Sequence, residues 1–176
     1  MTTVTRGEVG TQMVQVRARY AADSMSVIEA QDFLYDLGCL MLVGYMLDPG
    51  ESAEHGGVVK RWPWKRGEQL AAQAANDTHV RSITYNSPLE FVLAVSWIAG
   101  SAVVIAERLV HLYQDVQRAR ALTATTSTHV AAQSIVRRHL EQVLADIPTE
   151  QGNRWIEGAA RAAESIEHLD IEPGDR

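Results

Sequence analysis

The chain has 176 residues, of which 46% are hydrophobic and 22% charged, with a net charge of −6 and a pI near 5.5. That composition excludes a largely disordered chain, and the acidity argues against a general nucleic-acid coat protein, which is ordinarily basic. A single cysteine, Cys39, excludes an intrachain disulfide.

Residues 1–10 are rich in Thr and Gly and lack the apolar core of a secretory signal, so they are expected to be a flexible segment of a protein that is not secreted. Residues 11–172 are read as one domain, with 173–176 as a tail. Val14, Val16, Ala18 and Tyr20 alternate with Gln15, Arg17 and Arg19, which predicts a half-buried strand. Ser26-Val27-Ile28-Glu29 is a capping box. The helix behind it should run from about Val27 to Leu47, with Phe33, Leu34, Leu37, Leu40 and Met41 on one face. Glu29, Asp32 and Asp36 fall opposite, where a solvated face is favoured over a cation site. Cys39 lies in an apolar run and reads as a small buried hydrophobe.

Residues 51–65 read as a loop. Its end overlaps the segment Lys60-Arg61-Trp62-Pro63-Trp64-Lys65-Arg66, where four cations and two indoles meet in an acidic chain. Lys60, Arg61, Trp62, Trp64, Lys65 and Arg66 are therefore a candidate surface-contact loop. Lipid headgroups, an acidic protein partner and stacked bases all suit such a mixture, and so do rings folded back on the domain. Residues 68–76 have high helix propensity. His79 to Tyr85 predict a second strand.

Ser87, Pro88 and Glu90 then supply a cap, an N1 proline and an N3 glutamate, which predict a helix from 88 to about 121. Phe91, Val95, Ile98, Ala102, Ile105, Leu109, Leu112 and Val116 follow steps of four and three, a heptad seam that reads as a partner-binding face. The apolar part, 91–106, is the alternative membrane segment. The 16 residues between Glu90 and Glu107 give a helix about 24 Å long, against a hydrocarbon core of about 30 Å. Residues 122–128 are a possible break. Further helices are expected over 129–145 and 150–166, then a short edge strand near 168–172.

No zinc-spaced Cys/His set, phosphate loop or nucleophile elbow is present. No catalytic, metal or cofactor residue is assigned. Tyr85, Asn86 and Glu90, at a strand-to-helix junction, are a weak ligand position. The expected fold class is α+β: mostly helical, a long-helix bundle packed with a small two- or three-stranded sheet. The expected function is that of a non-enzymatic, cytoplasmic interaction or structural protein. It would self-associate as a homo-oligomer, or dock on a protein partner, through the helix 88–121. Membrane attachment through 91–106 and the Trp-basic loop is the alternative; an enzyme and nucleic-acid binding rank below it.

Overall fold

A computed structural model of the chain describes residues 11–20, 24–46, 78–84, 89–98, 102–122, 128–141 and 149–173. The Trp-basic segment 60–66, the 68–76 stretch, and Tyr85 to Pro88 lie outside these residues. Strand β1 spans Thr11–Tyr20 and helix α1 Val27–Met46. Strands β2 (Thr78–Thr84) and β3 (Glu90–Ile98) follow. Helices α2 (Ala102–Leu122), α3 (Thr128–His139) and α4 (Thr149–Ser165) lead into β4 (Ile166–Pro173).

The protein is α+β, with more helix than strand and one four-stranded antiparallel sheet in the order β2-β3-β1-β4. This is the β-α-β-β-α-β wiring of split βαβ sheets, with α2, α3 and α4 standing where a single crossover helix would suffice. Such a topology carries no function by itself.

The sheet has one apolar face. Val14, Val16 and Ala18 pair across to Val95, Leu93 and Phe91, and Val16 and Ala18 to Ile171 and Leu169. All are buried except Ile171, which is half-buried. Phe33 of α1 seats on this face between Tyr20, edge-on at a ring-centroid distance of 5.0 Å, and Phe91, tilted at 4.9 Å. The other face carries Arg17, Arg19, Glu90 and Glu172, in contacts of 3.3–3.9 Å.

The capping box forms as its spacing predicts. The Ser26 amide donates to Glu29 Oε2 at 2.7 Å, and the Glu29 amide to Ser26 Oγ at 3.2 Å. Helix α1 then packs chiefly against α4, while α3 lies against α2 and α4. Gly158 lets α1 and α4 close on each other: a Cβ there would meet Cys39 Sγ at 2.7 Å and Asp36 Oδ1 at 3.2 Å.

The expected helix 88–121 is corrected. Its first part is strand β3, hydrogen-bonded between β1 and β2, and the helix begins at Ala102. The physical reason lies in the run Phe91-Val92-Leu93-Ala94-Val95. β-Branched and aromatic residues favour a strand, and an interior strand that is apolar on both faces shows no alternation. Val92 and Ala94 point away from the helices yet are half-buried and buried. Glu90 is correspondingly no N3 cap: its Oε2 accepts from Arg19 Nε of β1 at 3.3 Å. The sheet therefore has four strands where two or three were expected. Among the described residues no helix is long and apolar enough to cross a membrane.

Candidate interaction surface

Helix α2 has two apolar sides with different fates. Ala102, Ile105, Leu109, Leu112 and Val116 are at most 2% exposed and belong to the chain's own core. Leu109 and Ile105 press so closely on Gly44 of α1 that a Cβ there would lie 2.7 Å from Leu109 Cδ1. Phe91 and Val95, the other seam residues with described side chains, are buried beneath the helices from β3, which Ile98 ends. The structure thus joins the seam residues with described side chains in one core but spreads them over a strand and a helix.

The second side of α2 is the one the seam pattern passed over. Val103 is 64% exposed, and Ala106 and Val110, three and seven residues on, are half-buried. They form one wall of a groove of about 410 Å³ whose opposite wall is Ile171 and Pro173 of β4, with Val14 of β1 on the floor. That volume falls within the range of about 300–1,000 Å³ usual for ligand-sized clefts. Glu107, His111 and Gln114 border it on the helix side, and Gln12 and Glu172 on the sheet side. Among the described residues no lysine or arginine lines it. The signal for this wall was present as apolar residues at i, i+3 and i+7, but a register tuned to the seam absorbs it.

The inner end of α2 fixes the groove by holding β4 in place. Helix α4 runs straight into β4, which leaves its last carbonyls to be capped from elsewhere. Gln117 Nε2 donates to the carbonyls of Ala163 and Ile166 at 2.8 and 3.1 Å. Tyr113 Oη donates to that of Glu167 at 2.7 Å, and Arg120 Nη1 to that of Glu164 at 3.0 Å. Burial pushes the Tyr113 phenol above its ordinary pKa of 10.0, so it stays a donor at neutral pH.

The polar clusters elsewhere have structural partners. Asp36, expected on a solvated face, is only 7% exposed and receives two hydrogen bonds from Arg161 of α4. The expectation missed this because Arg161 is 125 residues away in the chain. The Asp36 hydrogen bonds raise the Arg161 guanidinium above its already high pKa. Cys39 beside them is buried as expected; burial pushes its thiol from 9.0 up to about 11, against an opposing hydrogen bond with Tyr35. A thiol so held is a poor nucleophile. His129 Nδ1 lies 2.7 Å from Glu164 Oε2, and His129 Nε2 lies 2.9 Å from the Gln133 amide nitrogen, so both ring nitrogens are engaged. His139 Nε2 meets Asp115 Oδ2 at 3.2 Å. These histidines tie α3 to its neighbours. Among the described residues no group of three or more His, Cys, Asp and Glu is placed to hold a metal ion.

Comparison with protein-family models, with curated proteins and with solved structures finds no match for this chain.

Proposed function

We propose that this protein is a non-enzymatic docking module that binds a protein partner in the groove between α2 and β4. The observation that carries the reading is the exposed valine at its lip: Val103 stands 64% exposed beside a preformed apolar cleft. A large aliphatic side chain held open on a helix, next to a concave apolar wall, is what partner segments cover. Groove walls set by a helix and a hydrogen-bonded strand need little reordering on binding, which lowers the cost of association. The expected docking through α2 is kept, and moved from its buried side to its outer side.

The test is site-specific cross-linking. A photoreactive residue at position 103, in the full chain within its own cells, should give one discrete adduct identifiable by mass spectrometry. Val110→Asp in the same chain should remove that adduct. An adduct indifferent to Val110→Asp, or none, contradicts the reading.

A further inference from the structure

We propose that α1 carries a separate, self-complementary surface, on which two copies of this chain pack antiparallel with Val27 of each seated over Gly38 of the other. The inference goes beyond the groove and does not depend on it. It starts from a glycine without an intrachain reason. Glycine weakens a helix interior relative to alanine, so its presence there asks for a cause. Gly44 and Gly158 have one, because a Cβ at either would meet a neighbouring side chain at 2.7 Å. Gly38 has none: a Cβ there would meet nothing within 4 Å.

Gly38 closes an exposed stripe of α1. Val27, Gln31 and Tyr35 precede it at helical spacing, with Ile28 beside them. Val27, Ile28 and Tyr35 are 86, 72 and 57% exposed, and one turn beyond Gly38 the helix is buried at Leu42. The stripe therefore has a protrusion at one end and a notch at the other. Their separation of eleven residues is about three turns, which puts Val27 and Gly38 on one line about 16 Å apart. A two-fold axis through the middle of that line sets each valine over the other copy's glycine, where the missing side chain lets the helices approach. Protrusion and notch on one surface are what an isologous contact needs.

Charge agrees with this pairing. Asp32 is exposed just ahead of the midpoint. Just behind it, Arg154 of α4 stands within electrostatic reach of the Tyr35 hydroxyl; its side chain is 67% exposed and meets Glu150 of its own helix at 2.7 Å. Antiparallel packing brings each Asp32 near the other copy's Arg154. A single helix stripe falls short of the roughly 800 Å² a side of a standard interface. The dimer is accordingly weak, with a Kd on the order of 10–100 μM.

The experiment is sedimentation of the full chain from well below to well above that range. The native mass should rise reversibly from that of one chain to that of two. Gly38→Gln should raise the Kd at least tenfold, while the thermal midpoint of the dilute protein holds or rises, since the new side chain meets nothing in its own chain. Gln31→Cys, nearest the axis, should cross-link to itself on mild oxidation, whereas Val130→Cys, exposed on α3, should not.

The mass of one chain at every concentration overturns the inference. So does a dimer that survives Gly38→Gln, or one that Val103→Asp breaks instead. A lower thermal midpoint in dilute Gly38→Gln overturns it as well, because the glycine then serves its own chain. None of these outcomes touches the docking reading, which the cross-link at position 103 judges separately.

Discussion

Asp36 on α1 and Arg161 on α4 form a two-pronged ion pair, Arg161 Nη2 to Oδ1 at 2.8 Å and Nε to Oδ2 at 2.9 Å. The carboxylate is buried while the arginine side chain is 42% exposed, and Glu157 holds the free Nη1 at 2.9 Å. The pair joins the two helices beside the tight contact of Gly158 with Cys39. Removing the arginine leaves a buried carboxylate without its donors. Arg161→Ala should cost about 1.5–3 kcal/mol, the range of hydrogen bonds to charged groups. Exposure of the arginine keeps the figure below that of a fully buried pair. The urea midpoint reads it, and an unchanged midpoint would show that the pair contributes nothing.

Cys39 predicts an alkaline dependence. Its folded pKa of about 11 lies above the ordinary 9.0. As pH rises the unfolded chain loses the thiol proton first, so stability from the neutral buried thiol is complete below pH 9.0 and is lost towards pH 11. Thermal midpoints should fall across that window, less steeply in Cys39→Ala. In the native protein at pH 8, iodoacetamide should label Cys39 far more slowly than it labels the unfolded chain.

The capping box predicts a dependence on the acid side. Ser26→Ala should cost about 1 kcal/mol through loss of an N-cap. The hydrogen bonds from Ser26 hold the Glu29 carboxyl below its ordinary 4.5. The contribution of the Glu29 carboxylate, held chiefly by the Ser26 backbone amide, is therefore present above that value and is lost as pH falls through the lower folded pKa. Urea unfolding of Glu29→Ala and the parent should differ at pH 7 and draw together on acidification, while the cost of Ser26→Ala, which keeps that amide, should persist.

The two sides of α2 should answer differently to substitution. Ile105→Ala, at a fully buried position, should cost about 2–5 kcal/mol. Val103→Asp should stay within about 0.5 kcal/mol of the parent, as exposed substitutions do, while losing partner binding. Ala102→Asp cannot test association, since Ala102 is 2% exposed and a carboxylate there would first disturb folding. Chemical denaturation of the three variants separates the sides.

Local signals were legible in the sequence. The alternation in β1, the Ser26–Glu29 box and the amphipathic α4 declare themselves within a few residues, and each is found where expected. What failed was the one segment where local pattern is mute. Phe91 to Ala106 is apolar on every side, so no period distinguishes an interior strand followed by a helix from one long helix. The pairing partners that decide it, Ala18 opposite Phe91 and Val14 opposite Val95, lie far away in the chain. The groove was hidden for the same reason: Val103 and Ile171 come from elements that the sequence keeps apart. Asp36 shows the limit for polar residues, since its burial depends on a partner that no local window contains.

The most direct test of the docking account is methyl NMR of valine-labelled protein, alone and with the partner captured by the cross-link at position 103. The valines report on themselves: Val103 lines the groove, Val27, Val80 and Val130 are exposed elsewhere at 86, 50 and 65%, and Val116 and Val136 are fully buried. The account predicts shifts at Val103 and Val110, and at Val14 on the floor, with Val27, Val80, Val130, Val116 and Val136 unmoved. Shifts at Val27, Val80 or Val130 with Val103 unmoved would contradict it.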